Sequence, residues 1–177
     1  MPQLIYLIAI FIFNFINNGV YIVNVFFYKS DINTIGIGEE KGKITNIFFN
    51  SSELIKGDFI FKETDVIKEA FFQLDRYLKG DLKEFSLPLD LSSGTDFMQK
   101  VWKELMKIPY GETRTYKEIA IKIGNEKACR AVGMANNKNP IPFVIPCHRV
   151  IGTSGKLVGY RGGLEIKSYL LEMEKSN

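Results

Sequence analysis

From residue 20 onward, the first half of the chain carries runs of β-branched and aromatic residues separated by short polar segments. This pattern is typical of strands, and it predicts three of them, over residues 20–28, 34–38 and 43–50. Residues 39–42, Glu-Glu-Lys-Gly, lie between the second and third strands and predict a hairpin turn. Because such short connections join antiparallel neighbours, we expect a meander sheet.

The spacing of apolar residues then changes to the period of a helix. An amphipathic helix is predicted over residues 63–79, with Gly80 as its end and with an apolar stripe formed by Ile67, Phe71, Leu74 and Leu78. Residues 81–93 are predicted to be a linker that contains a short strand, residues 85–91, around Pro88. The first half therefore predicts a small sheet accompanied by one helix.

The second half of the chain is predicted to be mostly helical. Thr95 is the N-cap of a helix whose apolar residues recur at helical spacing, namely Phe97, Val101, Leu105 and Ile108. The Pro-Tyr-Gly turn of residues 109–111 ends this helix.

Two shorter helices follow. One begins at Thr115, where Glu118 completes a capping box, and runs to Gly124, and the next starts at residues 125–126 and reaches about Asn137. Two short helices around a glycine-containing turn have the outline of a helix-turn-helix, whose second helix enters a DNA groove. Helical hairpins without this role are common, so the pattern alone leaves DNA binding open.

The N-terminal segment is apolar and uncharged. The first 28 residues contain no charged side chain, and the apolar run of residues 4–16 is broken by polar residues at 17–18. A signal peptide needs a basic start and a small-residue cleavage site, and a spanning helix needs about 20 apolar residues. We therefore expect residues 1–19 to be an extension that the folded domain does not need, and we expect no membrane association.

The chain length and composition suit one large or two small domains. The sequence has 177 residues, of which 46% are hydrophobic, so a substantial core is possible. Its net charge is +3, but residues 1–91 hold 9 Lys/Arg against 12 Asp/Glu, whereas residues 92–177 hold 14 against 8. The basic excess of the second half fits either a polyanionic partner or a solvated surface.

The most informative chemistry lies in the run Pro146-Cys147-His148-Arg149-Val150, which places a thiol beside the sole histidine of the chain. A cysteine becomes a strong nucleophile when a nearby base or cation stabilises its thiolate, and His148 is the candidate base. Adjacent residues of a regular strand point to opposite faces, so this pair can cooperate only if the chain bends near Pro146.

The second cysteine, Cys129, has no proton acceptor near it in sequence and fits a buried, inert role. Two cysteines in such different contexts do not predict a disulfide, so we expect a reducing, cytoplasmic location. No CxxC motif is present, and one histidine with two cysteines cannot close a tetrahedral metal site without carboxylates. We therefore expect no metal.

Several further motifs occur along the second half. In chain order they are Gly94-Thr95, Val101-Trp102, Ile108-Pro109-Tyr110-Gly111-Glu112, Thr115-Tyr116, Arg130-Ala131-Val132-Gly133, Asn139-Pro140, residues 145–150 and Gly159-Tyr160-Arg161-Gly162-Gly163-Leu164. With these motifs the chain resembles the O6-alkylguanine-DNA alkyltransferases, which repair DNA by direct reversal. The resemblance spans about residues 92–175 and extends more weakly over residues 20–90.

The resemblance implies an α+β fold. A small N-terminal sheet domain of ribonuclease H-like topology, residues 20–91, would precede a C-terminal helical domain with a winged helix-turn-helix, residues 92–177. Some relatives bind zinc in the sheet domain through Cys and His, but this chain has neither residue before Cys129. No cofactor is implied.

The resemblance also implies how DNA is bound. Arg130 would be pushed into the duplex in place of an extruded guanine, since the O6 atom of a stacked base is out of reach of a thiolate in a pocket. The helices would enter the minor groove, where close approach is helped by the small residues Ala128, Ala131, Gly133 and Ala135. Thr115 belongs to the same DNA-binding set. Cys129 replaces the commoner alanine and would place a thiol near DNA.

For the reaction itself, the resemblance implies that Cys147 reaches His148 through a bound water and that Glu174 orients the other imidazole nitrogen. Glu172 is the nearby rival of Glu174 but lies on a different helix face. Asn139 would tie the turn that precedes Cys147 through its amide, and Tyr116 would donate a proton towards N3 of the guanine.

The substrate pocket is implied by resemblance as well. Residues 152–159 would form a loop over it, Tyr160 would wall the flipped base, and the backbone amide of Arg161, next to Gly162, would donate to O6. Some relatives have serine at position 161, which leaves the role of the Arg161 side chain open. The carbonyls of Cys147 and Val150 would accept from the exocyclic amine of the guanine.

The resemblance thus implies a monomer that repairs O6-alkylguanine, and less readily O4-alkylthymine, in double-stranded DNA. Because a thioether is inert to water, each molecule would act once. One alternative is a binding-only alkyltransferase-like sensor, but such proteins replace the reactive cysteine, whereas this chain has Cys147. The other is a winged-helix transcription regulator, which the moderate charge of the second half does not favour.

Overall fold

The first half of the chain folds into a four-stranded sheet with one helix on it. The computed structural model describes residues 23–49 and 59–176. The predicted antiparallel meander is formed by strands β1 (Val23–Lys29), β2 (Thr34–Glu40) and β3 (Lys43–Phe48). A fourth strand, β4 (Phe59–Phe61), pairs in parallel with β1 and was not predicted. The strand order is β3-β2-β1-β4.

The hairpin between β2 and β3 is tighter than predicted. Only Lys41 and Gly42 form the turn, with φ angles of 51° and 77°, whereas Glu39 and Glu40 still belong to β2. Positive φ at both central residues is what a two-residue turn between twisted strands requires. Glycine at the second position meets this requirement without strain.

Helix α1 (Asp65–Leu78) covers the inner face of the sheet. The Thr64 side chain caps it by accepting from the backbone of Ile67, and it ends before Gly80, whose φ is 80°. Ile67, Leu74 and Leu78 are buried as predicted, while Phe71 is half-buried and stacks on the ring of Tyr28 at 4.0 Å. The amphipathic pattern therefore located this helix correctly.

The predicted strand over residues 85–91 was wrong. The segment makes one isolated bridge, between Leu89 and Ile44 of β3. The two hydrogen bonds of this bridge run from Ile44 N to the Pro88 carbonyl and from Asp90 N to the Ile44 carbonyl. Because Pro88 has no N–H, it can only accept, and the pairing does not extend into a ladder.

The second half consists of helices and a two-stranded parallel sheet. In chain order the elements are α2 (Asp96–Leu105), β5 (Arg114–Thr115), α3 (Tyr116–Lys122), a 3-10 turn (Glu126–Ala128), α4 (Cys129–Asn137), a second 3-10 turn (Cys147–Arg149), β6 (Val150–Ile151) and α5 (Leu164–Ser176). Thr95 and Thr115 are the N-caps of α2 and α3, and the capping box with Glu118 is present. The α+β class is confirmed.

The two halves share one hydrophobic core. The backbone N–H of Ile47 in β3 donates to the Pro140 carbonyl at 2.8 Å, and the ring of Phe49 packs against Phe143 and Tyr160. Because the halves are joined in this way, the limits at residues 20–91 and 92–177 stay a prediction. The expected extension, residues 1–19, lies outside the described residues. Within the described ranges, no helix is long and apolar enough to cross a membrane.

Candidate active site

Cys147 lies in a single turn of 3-10 helix. Residues Cys147–Arg149 form this turn directly after Pro146, and β6 begins only at Val150. The bend that cooperation with His148 requires is therefore a helical turn rather than a kinked strand. The Cys147 side chain is 6% exposed and His148 is fully buried. The thiol thus reaches solvent only narrowly, while the imidazole is enclosed in the core.

Asn139 connects the preceding turn to the sulfur atom. Its Nδ2 donates to the carbonyl of Ile145 at 2.8 Å and to Sγ of Cys147 at 3.1 Å, and its Oδ1 accepts from the backbone N–H of Ile141 at 3.0 Å. The amide therefore holds both ends of the turn and also directs an N–H at the thiol. An N–H donor favours the thiolate over the thiol.

His148 pairs with Glu174 of α5. The distance from His148 Nε2 to Glu174 Oε1 is 2.9 Å, and both side chains are inaccessible to solvent. Burial raises the pKa of Glu174, but hydrogen bonds from His148, Arg149 and Tyr77 outweigh it and hold the pKa at about 2. Glu174 is then a carboxylate that can only accept, so Nε2 carries the proton. Nδ1 of His148 has no partner among the described residues and is left as an acceptor.

The rival carboxylate, Glu172, points elsewhere. It is exposed and accepts from the Ser168 hydroxyl at 2.9 Å. The structure therefore brings Cys147, His148, Asn139 and Glu174 together and leaves Glu172 outside this group.

The buried environment keeps both members of the thiol and imidazole pair neutral. Burial raises the pKa of Cys147, although the Asn139 amide and then the charge of Lys167 oppose this effect. Burial also lowers the pKa of His148, against the opposing effect of Glu174. A neutral imidazole is able to accept the thiol proton, whereas an imidazolium is not.

A cavity of about 390 Å³ opens onto Cys147. Its lining includes Tyr116, Arg130, Gly133, Cys147, Tyr160 and Arg161. Of the predicted pocket residues, Tyr160 and Arg161 therefore line it, whereas Gly162 and Val150 do not. Gly162 packs so closely on Phe49 that an added Cβ would lie 2.7 Å from its ring. Val150 is buried, and its carbonyl accepts from Lys167 at 2.7 Å.

Tyr116 borders the cavity at the start of α3. Its hydroxyl donates to the carbonyl of Val158, in the loop after β6, at 3.3 Å. Burial raises the pKa of Tyr116, and the charge of a Cys147 thiolate would raise it further, so the group is a phenol that retains its proton. A phenol placed there can donate to a group in the cavity.

The Arg161 side chain reaches from the lining of the cavity to the sheet domain. Its Nη2 donates to the Ile47 carbonyl at 2.7 Å, and its guanidinium lies 5.9 Å from the centre of the Phe49 ring. The side chain thus fastens the loop to β3. The predicted donation from the Arg161 backbone amide to O6 stays a prediction.

The outer surface of α4 carries part of the predicted DNA-binding set. Arg130 and Ala131 are exposed, and Cys129 and Gly133 are partly exposed. Cys129, which the chain pattern assigned to an inert buried role, instead lines the cavity, with Sγ directed at the Glu126 carbonyl at 3.6 Å.

The prediction that Ala128 and Ala135 face DNA was wrong. Ala128 is 9% exposed and Ala135 is fully buried, on the same inner side as Val132. Val132 and Ala135, three residues apart, share the inner face of α4, and Ala128, in the 3-10 turn just before that helix, is buried as well. Thr115 is partly exposed, and its hydroxyl is engaged with Glu118 in the capping box.

Two family models match the chain. The model described as 6-O-methylguanine DNA methyltransferase, ribonuclease-like domain, matches residues 25–91. The model described as 6-O-methylguanine DNA methyltransferase, DNA binding domain, matches residues 96–176. The chain belongs to the 6-O-methylguanine DNA methyltransferase family.

Individual relatives agree with this family. A Methanosarcina barkeri protein named methylated-DNA–protein-cysteine methyltransferase is 51% identical over 142 residues, which cover 79% of this chain and 89% of the relative. The crystal structure of Mycobacterium tuberculosis O6-methylguanine methyltransferase has 44% identity and a TM-score of 0.77, covering 87% of this chain and 93% of that chain. The structure of Mycobacterium tuberculosis OGT in complex with DNA has 45% identity and a TM-score of 0.79, covering 87% and 94%.

Three residues of the 6-O-methylguanine DNA methyltransferase site were missed by the sequence analysis. Arg149 forks onto Glu174, with Nε 2.9 Å from Oε2 and Nη2 2.8 Å from Oε1, and its Nη1 donates to the Ile108 carbonyl at 2.6 Å. Tyr77 of α1 donates to Glu174 Oε1 at 2.5 Å. No local pattern links Tyr77 to a carboxylate 97 positions away.

Lys167 is the third missed residue, and here the sequence did hold a clue. Its fully buried Nζ donates to the carbonyls of Val150 at 2.7 Å and Val158 at 3.2 Å. Lys167 shares the spacing of the buried face of α5 with Leu170, Leu171 and Glu174. A lysine on an apolar stripe needs polar partners in the interior, so this periodicity could have revealed it.

Among the described residues, no group of three or more His, Cys, Asp or Glu side chains is arranged to hold a metal ion.

Proposed function

We propose that this protein repairs DNA by transferring the alkyl group of O6-alkylguanine to Cys147 in one irreversible step. One observation carries the proposal. Cys147 faces an open cavity, receives an N–H from Asn139 on its sulfur, and is followed in the same 3-10 turn by His148, whose buried imidazole pairs with Glu174. This is a nucleophile with a base and an orienting carboxylate.

The reaction begins with removal of the thiol proton. In the proposed step the proton of Cys147 passes to Nδ1 of His148, by way of a water in the arrangement that the family resemblance implies. The imidazolium that forms is stabilised through Nε2–H by Glu174. The sulfur electron pair then forms a bond to the alkyl carbon while the bond from that carbon to O6 breaks.

The electron pair of the broken bond remains on the guanine, which becomes a better leaving group if it gains a proton. We propose that Tyr116 supplies this proton at N3 and later regains one from the imidazolium or from solvent. The atoms then balance, because a thiol and an O6-alkylguanine become a thioether and a guanine. The phenol needs no lowered pKa for this role, since it transfers its proton as charge develops on the base.

DNA binding is proposed to occur on the surface around Arg130. An exposed arginine at the rim of the cavity is placed to enter the duplex while the target guanine rotates into the cavity. Ala131 and Gly133 present little bulk on the same helix and permit close approach in the minor groove. Double-stranded DNA with an alkylated guanine is therefore the proposed partner, and O4-alkylthymine a poorer substrate.

Each molecule is proposed to act once, because water does not cleave the thioether. It is proposed to act as a monomer and without a cofactor. The two cysteines of the described part are unpaired, which suits the proposed reducing cytoplasm.

The sensor alternative lacks support from this chain because the reactive thiol is present and is supplied with a base. The regulator alternative leaves the buried pair of His148 and Glu174 without a purpose.

The proposal is tested by intact-protein mass spectrometry after incubation with a DNA duplex that carries one O6-methylguanine. We expect a gain of one methylene, mapped to Cys147, never more than one per molecule and absent in Cys147→Ala. Glu174→Gln should slow the transfer, whereas Glu172→Gln, on the same helix but outside the site, should not. Lesion binding without a change in mass would overturn the proposal in favour of a sensor.

A further inference from the structure

A tyrosine from the sheet domain reaches into the proposed proton relay. Tyr77 lies in the last turn of α1 and is fully buried. Its hydroxyl oxygen is 2.5 Å from Glu174 Oε1 and 3.2 Å from His148 Nε2. The ring packs against Phe85 and Tyr110, at centroid distances of 5.1 and 6.1 Å. This packing fixes where the hydroxyl points.

The direction of each hydrogen bond in this group follows from the carboxylate. Glu174 accepts only, so the Tyr77 hydroxyl donates to it and the proton on His148 Nε2 also points to it. The remaining contact, between Nε2 and the hydroxyl oxygen, is the longest of the three at 3.2 Å. Tyr77 therefore acts on His148 mainly through Glu174.

We propose that Tyr77 is a positioning residue of the relay, whose hydroxyl holds Glu174 in place and limits how strongly that carboxylate stabilises a proton on His148. The proposal rests on the proposed function. A donor on a carboxylate oxygen withdraws negative charge from it, so the imidazolium next to it is stabilised less. His148 then stays neutral at rest and ready to accept the proton of Cys147.

Other charged and titratable groups face the same imidazole, and they determine the background against which Tyr77 acts. From the surrounding elements these are Arg149 of the 3-10 turn, and Lys167 and Glu174 of α5. Burial lowers the pKa of His148 most, Glu174 raises it, and Arg149 and Lys167 lower it. Burial also raises the pKa of Tyr77 well above its ordinary value, so the hydroxyl keeps its proton and acts as a donor.

Removing the hydroxyl has two opposing effects on His148, and the distances decide between them. Tyr77→Phe frees Glu174 Oε1 from a 2.5 Å donor, which raises the pKa of His148. It also removes an acceptor that is 3.2 Å from Nε2, which lowers that pKa. Because the shorter, charge-assisted bond is much the stronger, we expect the first effect to dominate.

The experiment uses the fact that His148 is the sole histidine of the chain. Its titration is followed by nuclear magnetic resonance in the full-length protein labelled with ¹⁵N-histidine. In Tyr77→Phe we expect the midpoint to rise by about one pH unit, a tenfold change in the protonation equilibrium. Single-turnover methyl transfer should then slow by up to about tenfold on the acid side of the profile and little at alkaline pH.

The matched control is Tyr28→Phe, which removes a hydroxyl bonded to Glu63 at 2.8 Å in the same sheet domain. It should leave both the titration and the rate unchanged. A merely structural role for Tyr77 predicts slower transfer at every pH with an unchanged His148 midpoint, and that result would overturn the proposal.

A second measurement covers the case in which Tyr77→Phe does not fold. Wild-type protein made with 3-fluorotyrosine keeps the hydroxyl but makes it a stronger donor, so the His148 midpoint should move down, opposite to the change in Tyr77→Phe. An unmoved midpoint would count against the proposal. Failure of the wild-type protein to accept a methyl group would sink the proposed function instead, and the titration would still test Tyr77.

Discussion

Asn139 serves the fold and the chemistry with one side chain. Its oxygen and nitrogen pair with backbone groups of Ile141 and Ile145, and the same nitrogen also donates to the sulfur of Cys147. Removing it would leave buried backbone groups unpaired, at a cost of about 1–3 kcal/mol for each. The thiolate would lose its hydrogen-bond donor as well.

We therefore expect Asn139→Ala to lower the free energy of unfolding by a few kcal/mol and to raise the pKa of Cys147 further. The check is the pH dependence of alkylation by iodoacetamide, in a Cys129→Ser background so that Cys147 alone reacts, together with urea unfolding. Asn125→Ala, at an exposed position just before the 3-10 turn Glu126–Ala128 and outside the cavity lining, is the control. An alkylation profile identical to that of the parent would show that the contact with sulfur has no chemical effect.

At the same scale, the sequence revealed the residues that local spacing connects. Cys147 and His148 are neighbours, and the cap at Thr115 is readable within four residues. Tyr77 and Arg149 were missed because their roles depend on how α1 and α5 pack, which no short window contains. The prediction for Ala128 was wrong because it assumed that a small residue lies at the surface. The spacing of Ala128 from Val132 instead indicated a buried position, as the structure shows.

At the scale of elements, long periodic segments and their caps were predicted well. Helices α2 and α3 have as N-caps the threonines that the sequence indicated, and α1 begins at Asp65, inside the predicted range of residues 63–79. Strand β4 has three residues, too few to show a period, and the segment around Pro88 looked like a strand although proline prevents a ladder. The structure adds how tightly the start of α2 is packed.

Gly94, just before α2, lies against the sole tryptophan of the chain. A Cβ added there would lie 2.3 Å from the Trp102 ring, whose Nε1 donates to the Ala135 carbonyl of α4 at 2.8 Å. We expect Gly94→Ala to destabilise the protein by about 1–3 kcal/mol, because the ring cannot move without breaking this bond. Urea unfolding followed by tryptophan fluorescence measures the effect directly.

Gly133→Ala provides the comparison for that measurement. The nearest atom to an added Cβ is 3.8 Å away, on Tyr116, and the residue lies within α4. Here we expect unchanged stability or a gain of up to about 1 kcal/mol, since alanine favours helix over glycine. Equal losses in the two variants would contradict the packing argument.

At the scale of the whole molecule, burial of the sole imidazole makes stability depend on pH. In the folded protein the pKa of His148 lies below its ordinary value of 6.5. Below pH 6.5 the unfolded chain therefore binds a proton on His148 more readily than the native protein does. Stability should therefore fall as the pH drops below 6.5, by at most about 1.4 kcal/mol per pH unit from this group. Glu174 acts in a lower window, because its stabilising effect is lost between pH 4.5 and about 2.

The free energy of unfolding measured between pH 7.5 and 5 checks this expectation. His148→Gln removes the titrating group, so its stability should depend less on pH over the same interval. If the wild type and the variant change in parallel, groups other than His148 control the acid sensitivity.

The hydrogen bonds of the Val158 carbonyl bear on how the dealkylated guanine leaves the cavity. Two donors hold this carbonyl in the protein, the Tyr116 hydroxyl and the Lys167 ammonium. In the proposed mechanism the Tyr116 hydroxyl donates to the guanine, so Lys167 is then the one of these two donors that still holds the Val158 carbonyl. Occupancy of the cavity thus removes one of the hydrogen bonds that hold the loop over it, at the stage before a freed guanine has to depart.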